Sequence, residues 1–165
     1  MSHSVLFHGS VCFFPEGYVM KANPAGYVRS EDAVDFERVV ENRRPFEKLS
    51  RFQSVFLTAD MDLIDAAGGY TDAIYEVEPL TTPEASDLAW YSDAWSEFSC
   101  DPCDMNRVNQ LIDRYWSGKP YSNPDNGNVE YRTRAGRIIR MVEHEVDLAD
   151  LQPIQRNDPE LPFNC

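Results

Sequence analysis

The sequence predicts an α+β fold built around an antiparallel or mixed sheet. Strand-like segments dominate both ends of the chain, and the segments with helical periodicity lie between them. The chain has 165 residues, 42% of them hydrophobic, which is enough to bury a core. We therefore expect one domain over residues 1–150, followed by a proline-containing tail over residues 151–165.

Three segments have the apolar spacing of helices, namely residues 31–43, 83–98 and 104–117. Ser30 is suited to cap the first helix, and Thr82 followed by Pro83 is typical of a helix start. The second and third helices carry all three tryptophans of the chain. We interpret the stretch at about residues 83–118 as a helical insertion into the sheet domain.

Strands are predicted where β-branched and aromatic residues cluster, at residues 5–7, 12–14, 53–59, 72–80, 129–133 and 137–146. Between two of them, Asp60 is placed to cap a short helix that ends at Gly68 and Gly69. The pairing of these strands does not follow from the sequence.

Charge and hydropathy exclude several classes of function. The net charge of −13 argues against nucleic acid as a partner, because such binding depends mainly on Lys and Arg. It still permits a ligand with one or two phosphates, and it suits a basic protein partner. No apolar run approaches the length of a membrane helix, and no leader precedes the first strand, so we expect a cytoplasmic protein without membrane contact.

The cysteines lie at positions 12, 100, 103 and 165. Only Cys100 and Cys103 have the spacing of metal ligands, and a single C-x-x-C is half of a zinc site. We therefore expect no metal and interpret these two residues as thiols on a loop.

Three stretches that begin at predicted strands carry chemistry: LFHGS (6–10), VFLTAD (55–60) and VEYRTRAGRIIRMV (129–142). In this order they resemble the motif strands of the ADP-ribosyltransferase superfamily of the diphtheria-toxin and PARP type. In that family an H-G-[S/T] strand comes first, a strand with tyrosine follows, and a later strand supplies the catalytic glutamate. The last two stretches are also similar to rifampin ADP-ribosyltransferases. The resemblance implies a split antiparallel or mixed sheet with inserted helices.

The resemblance implies a reaction in which NAD⁺, as co-substrate, loses nicotinamide and passes ADP-ribose to an acceptor. Glu130 would stabilise the positive charge that develops on the ribose. His8 would contact the adenosine ribose and Ser10 would add a hydroxyl, while Gly9 would leave its backbone open to the nicotinamide amide. On this interpretation Glu130 and His8 face each other across a cleft that admits a dinucleotide.

The remaining candidates have two interpretations each. Phe56 replaces the family's tyrosine and would either cover nicotinamide without a hydroxyl or belong to the core, and Tyr70 could supply a second ring. Three arginines would bind pyrophosphate or carry ordinary surface charge, namely Arg29, Arg51 and Arg132. Glu130 itself could instead pair with Arg132 or Arg134. Loop residues that would meet the acceptor are Pro120, Tyr121 and Asn126.

Three functions remain open. The chain is first interpreted as a mono-ADP-ribosyltransferase that modifies a protein, as a bacterial or phage effector or anti-defence factor would. The second interpretation keeps the chemistry but transfers ADP-ribose to a small molecule; the Trp-rich helices, which suggest a platform for a protein acceptor, argue against it. The third is a non-enzymatic acidic inhibitor that binds a partner through exposed aromatics at Trp90, Trp95 and Trp116.

Overall fold

The computed structural model describes residues 5–22, 31–67, 69–121 and 128–154. Its strands are β1 (Leu6–Ser10), β2 (Cys12–Phe13), β3 (Val19–Lys21), β4 (Val55–Thr58), β5 (Ala73–Pro79), β6 (Glu84–Asp87), β7 (Val129–Thr133), β8 (Ala135–His144) and β9 (Gln152–Pro153). Its α-helices are α1 (Glu31–Asn42), α2 (Leu88–Phe98) and α3 (Met105–Trp116). Short 3₁₀ helices cover Arg51–Gln53 and Met61–Leu63.

Seven strands form one sheet in the order β3-β8-β5-β1-β4-β7-β6, and the pairings within it are antiparallel. The short strands β2 and β9 form a separate parallel pair. A mostly antiparallel sheet with three helices confirms the α+β class. Within the described ranges, no helix combines the length and apolar character needed to cross a bilayer.

Strands β1 and β4 are paired over the shortest length in the sheet. These strands share a single register pair, Phe7 with Thr58, whereas β1 pairs along its whole length with β5. Beyond that pair, the imidazole of His8 is hydrogen-bonded through Nδ1 to the carbonyl oxygen of Phe56 at 3.0 Å. A side chain therefore bridges the two strands beside their only register pair, and we call this place the β1/β4 seam.

The two faces of the sheet are covered differently. One face, here called the apolar face, packs a single hydrophobic cluster, whose buried members include Leu6, Phe14, Leu57, Tyr75, Val77 and Ile138. The other face, here called the helical face, lies under α1, α2 and α3. These helices share a second cluster, which includes Phe36, Val40, Ala94, Ile112 and Trp116.

Several predicted elements are confirmed. Helix α1 covers most of the predicted residues 31–43, and α3 matches 104–117. The Asp104 side chain caps α3 by accepting from the backbone N–H groups of Asn106 and Arg107. Asp60 caps the short helix as expected, but that helix is a 3₁₀ turn that ends at Leu63, before the predicted end at Gly69; Gly68 lies outside the described residues. The proposed cap at Ser30 lies outside the described residues.

The prediction of a helix over residues 83–98 is wrong in its first turn. Residues Glu84–Asp87 form β6, which pairs along its length with β7. Helix α2 begins only after Asp87, whose side chain accepts from the N–H of Ala89. A sheet partner distant in sequence therefore outweighs the local helix-start signal at Thr82 and Pro83.

The segment after residue 150 returns to the fold. Leu151 is buried in the cluster on the apolar face, and Gln152 and Pro153 pair with Cys12 and Phe13. Residues 151–154 thus pack on the domain, and the rest of the predicted tail lies outside the described residues.

Candidate active site

Glu130 lies on the helical face of the sheet, on β7, which is the strand next to the edge strand β6. On β7 it is opposite Thr58 of β4 on one side and Ser86 of β6 on the other. Its side chain is fully buried. Oε1 accepts hydrogen bonds from Arg51 Nη1 at 2.7 Å, from Arg132 Nη1 at 3.2 Å and from the Tyr115 hydroxyl. The carboxylate is thus held by three donors on one oxygen.

Arg51 joins Glu130 to helix α1. It begins the 3₁₀ helix that Ser50 caps, and its guanidinium donates from Nε and Nη2 to the two carboxylate oxygens of Glu37, at 3.0 and 3.2 Å. Burial alone would lower the pKa of Arg51, but the carboxylates of Glu130 and Glu37 raise it well above its ordinary value. Arg51 is therefore a fixed cation between two carboxylates.

Tyr115 of α3 completes the contact with Glu130. Its hydroxyl accepts from Arg51 Nη1 and Arg132 Nη1 while it donates to Glu130 Oε1. Burial raises the pKa of Tyr115, so the hydroxyl keeps its proton at neutral pH. Arg132 also donates from Nη2 to Ser86 Oγ at 3.0 Å.

We call these residues the buried ion cluster: Glu37, Arg51, Tyr115, Glu130 and Arg132. Its two carboxylates and two guanidinium groups balance in charge, which is what burial of ions requires. Among the described residues, the buried side-chain polar atoms without a hydrogen-bond partner are Glu130 Oε2 and Arg132 Nε. The cluster therefore has one acceptor and one donor that the other described residues do not use.

His8 lies on the opposite face of the sheet from Glu130. Phe7 pairs with Thr58, and Thr58 pairs with Glu130, so these three side chains share a face. His8 follows Phe7 and points to the apolar face, where its ring is 6.3 Å from that of Phe14. The expected cleft between the imidazole and the carboxylate is therefore wrong, because strand alternation separates the two side chains.

Gly9 has the close backbone approach that its sequence context suggested, but the approaching group belongs to the same chain. A Cβ built on Gly9 would lie 2.1 Å from the Tyr70 carbonyl oxygen and 2.3 Å from Ile64 Cγ2. Tyr70 thus contributes its backbone here. Ser10 is buried, and its Oγ accepts from the N–H of Cys12 at 3.0 Å. The backbone of Gly9 is therefore covered on this side.

Phe56 and Arg132 lie in or beside the buried ion cluster. The Arg51 guanidinium carbon is 4.9 Å from the centroid of the Phe56 ring, so this ring packs under a cation. Arg132 is fully buried against Glu130 and Ser86, which corrects its assignment to pyrophosphate. Arg132 pairs with Glu130, as the second interpretation of Glu130 expected. Arg29 and Asn126 lie outside the described residues.

Sequence reasoning missed the roles of Arg51, Glu37 and Tyr115. Arg51 was interpreted as a phosphate ligand or surface charge, yet it is 4% exposed. A signal for Glu37 was present, because Ala33, Phe36, Glu37 and Val40 follow the helical i, i+3, i+4, i+7 spacing of a buried stripe. A carboxylate in such a stripe indicates a buried cation opposite it.

The Trp-rich helices are packed rather than displayed. Trp116 is 1% exposed and donates from Nε1 to the Val40 carbonyl oxygen at 2.9 Å. Trp90 and Trp95 are half-buried against the cluster on the helical face. The expectation of an exposed aromatic surface is therefore wrong at Trp116, and the helical pair lies over the sheet.

Tyr121 is the exposed aromatic next to these helices. Its hydroxyl donates to Asp93 at 2.6 Å, and its ring centroid is 4.4 Å from that of Trp90. Tyr121 thus packs on α2.

Cys100 and Cys103 are free thiols, and Cys12 is disulfide-bonded. Among the described residues, no group of three or more His, Cys, Asp or Glu side chains is placed to hold a metal ion.

The chain matches no known family model, no curated protein and no solved structure. The candidate site is therefore defined by its geometry: an enclosed carboxylate with one oxygen bound by three donors and the other without a hydrogen-bond partner in the described part of the chain.

Proposed function

We propose that this chain is an NAD-dependent mono-ADP-ribosyltransferase that transfers ADP-ribose to a protein acceptor. The observation that carries the proposal is the order β1-β4-β7 in the sheet. These strands hold the three sequence stretches that resemble the transferase family. Along the chain they are separated by β2, β3 and α1 on one side of β4 and by β5, β6, α2 and α3 on the other. The adjacency of β4 and β7 supports the proposal, because Phe56 and Glu130 lie on the same face of the sheet, whereas His8 of β1 lies on the other face.

In the proposed reaction Glu130 would be the carboxylate that stabilises the developing charge. Cleavage breaks the bond between nicotinamide and C1′ of the ribose, and the bonding electrons leave with nicotinamide. The sugar becomes oxocarbenium-like, as in glycoside cleavage, and a preorganised carboxylate stabilises that charge. The acceptor nucleophile then bonds to C1′ and loses its proton to solvent or a nearby base.

The fit of NAD⁺ to the described residues is partial. Glu130 Oε2 and Arg132 Nε could take up a hydroxyl group, because one accepts and the other donates. The backbone at Gly9 is covered by Tyr70 and Ile64, and His8 lies on the other face. The proposal therefore rests on Glu130, and the role of His8 is to bridge the β1/β4 seam.

The proposal requires that NAD⁺ reach the Glu130 side chain. The side chain is fully buried beneath Tyr115 of α3 and Arg51. NAD⁺ binding must therefore displace part of the helical layer, and hydrogen exchange of α3 is expected to change when NAD⁺ is added.

The burial of Glu130 also favours a second function, which is not enzymatic. Two arginines neutralise Glu130, which is the arrangement of an ion cluster that serves only the fold. The chain would then be a non-enzymatic protein whose charge of −13 attracts a basic partner. Transfer to a small molecule remains the other form of the enzymatic proposal.

Incubation with labelled NAD⁺ and a cell lysate separates these functions. Label on a protein band supports the proposal, and label on a small molecule supports the small-molecule form. If label is not transferred and millimolar NAD⁺ leaves the melting temperature unchanged, the chain is not a transferase, because a ligand of the native state must stabilise it.

A further inference from the structure

We propose that Cys100, Cys103 and Met105 form a binding site for a soft monovalent metal cation, Cu(I), at the corner where α2 ends and α3 begins. The three residues lie within the stretch CDPCDM (100–105). The proposal does not depend on the transferase function, since none of the three residues belongs to the buried ion cluster.

The distance between two of the sulfur atoms is the first observation. The Cys103 thiol donates to the Met105 thioether, and the two atoms, Sγ and Sδ, are 3.5 Å apart. Two sulfur ligands that each lie about 2.3 Å from one metal ion are roughly 3.3–4 Å from each other. A metal ion can therefore replace the thiol proton between Cys103 and Met105 with little movement of either side chain.

Cys100 is held beside this pair by the end of α2. Its N–H donates to the Glu97 carbonyl oxygen at 3.2 Å, and its thiol donates to the Ser96 carbonyl oxygen at 3.3 Å. The Cys100 thiol is exposed, so rotation about χ1 can release it from Ser96. The C-x-x-C spacing of Cys100 and Cys103 is that of two ligands of one metal ion.

The charges around Cys103 favour a cation. Partial burial raises the pKa of Cys103, and the negative charges of Glu97 and Asp104 raise it further, as does the Cys100 thiol. The field that opposes a bare thiolate here attracts a positive ion. Arg107 offsets part of this field through its ion pair with Glu97 at 3.2 Å.

The set of ligands selects the ion. Thiolate and thioether sulfur atoms are soft ligands that favour Cu(I), whereas Zn²⁺ in structural sites takes four ligands, usually from Cys and His. In the ranges that the structure describes, no His, Cys, Asp or Glu completes a group of three with the two cysteines, and Met105 supplies the third ligand. On binding, Cu(I) forms bonds to both thiolates, two protons go to solvent, and copper keeps its oxidation state.

The experiment measures how much Cu(I) the full chain removes from its coloured complex with bicinchoninate, under argon. Alkylation and mass measurement first show that the Cys100 and Cys103 thiols are free. We expect the unmodified protein to bind one Cu(I) per chain. Cys100→Ser and Cys103→Ser should each weaken binding about a hundredfold or more, because a lost ligand costs more than the roughly tenfold to hundredfold loss typical of an outer-shell partner.

Met61 provides the matched control for Met105, because these two methionines are 38% and 40% exposed. Met105→Leu should weaken Cu(I) binding roughly tenfold, and Met61→Leu should leave it within about twofold of the unmodified protein. Equal affinities of these two variants would contradict the site of three sulfur ligands.

Two results overturn the inference as a whole. One is that the unmodified protein takes no Cu(I) from bicinchoninate. The other is that the double variant Cys100→Ser/Cys103→Ser binds Cu(I) as tightly as the unmodified protein, since the ion then lies elsewhere. Tighter binding of Zn²⁺ than of Cu(I) would contradict the assignment of the ion.

Circular dichroism shows whether each variant is folded. Cys103 packs against the cluster on the helical face, so Cys103→Ser is the variant most exposed to a loss of folding. If Cys103→Ser does not fold, the exposed position decides the question: Cu(I) binding by Cys100→Ser that equals that of the unmodified protein contradicts the proposal.

Discussion

The two faces of the sheet differ in the kind of side chain that they bury. On the apolar face few polar atoms are buried among the described residues. One of them is the Tyr75 hydroxyl, which donates to the Cys12 carbonyl and accepts from the N–H of Phe14. On the helical face, two full ion pairs lie under the helices, joined through Arg51 and Glu130. Neighbouring residues of one strand thus face environments of opposite character.

This difference indicates where the chemistry of the molecule is placed. Replacement of a buried ion cluster by apolar residues of similar volume is often neutral or stabilising, so stability alone does not explain such a cluster. The apolar face needs no further explanation, because hydrophobic burial accounts for it. A retained cluster with an unused acceptor at Glu130 is the feature that calls for a function.

The largest effect on stability is expected from Arg51→Ala. The change leaves Glu37 and Glu130 buried without their shared cation, and loss of one partner of a buried ion pair costs about 3–5 kcal/mol. Urea unfolding measures this cost. A loss below about 1 kcal/mol, the size seen for surface pairs, would show that the cluster is hydrated and would remove the contrast between the faces.

A smaller effect is expected from Tyr75→Phe on the apolar face. The variant keeps the ring but leaves the Cys12 carbonyl and the Phe14 N–H without their side-chain partner, which costs about 1–3 kcal/mol. Measurement by the same unfolding assay allows direct comparison with Arg51→Ala. If Tyr75→Phe is the more damaging change, the ranking of the two faces is wrong.

His8 makes the apolar face sensitive to pH. Burial lowers the pKa of His8, and the hydrogen bond to the Phe56 carbonyl offsets this in part. The unfolded chain, with an imidazole pKa near 6.5, then binds a proton that the folded chain does not. This contribution to stability is therefore present above that value and is lost as the pH falls below it.

The test compares the free energy of unfolding at about pH 7.5 and about pH 5.5. The unmodified protein should lose more stability over this interval than the His8→Gln variant, which has no titrating ring at this position. An equal loss in both proteins would mean that His8 is hydrated at the β1/β4 seam.

The smallest effect is expected at the surface of the sheet. Arg140 donates from Nε to Glu76 Oε2 at 2.8 Å, but its side chain is 61% exposed. Arg140→Gln should therefore change the free energy of unfolding by no more than about 1 kcal/mol. The Arg140–Glu76 pair has an ion-pair distance similar to that of Arg51–Glu130, but it is not buried. A large effect of Arg140→Gln would therefore show that burial does not determine how much an ion pair contributes to stability.

Much of the fold could be predicted because it depends on local pattern. Apolar spacing and capping residues predicted α1 and α3, and β-branched runs predicted β4 and β7. The strand at Glu84–Asp87 could not be predicted, because its stability comes from pairing with Val129–Arg132, far away in sequence. Its local signals, Thr82 and Pro83, favoured a helix.

The sequence predicted which strands carry the candidate site, but it did not predict on which face of the sheet each side chain lies. The three motif stretches lie on adjacent strands, yet whether His8 and Glu130 share a side depends on the register of β1 against β4. One residue of register reverses every side chain, and no local pattern states the register between distant strands. Arg51 was missed for a related reason, since its partners at 37, 115 and 130 come from three other elements.

The most direct test of the account is the rate of nicotinamide release from NAD⁺ by the unmodified protein and by Glu130→Gln, with circular dichroism to confirm that both are folded. The account predicts release by the unmodified protein and a loss of about a hundredfold or more in the variant, the usual cost of removing one preorganised charge stabiliser. Equal rates in the two proteins, or no release by the unmodified protein, would contradict it.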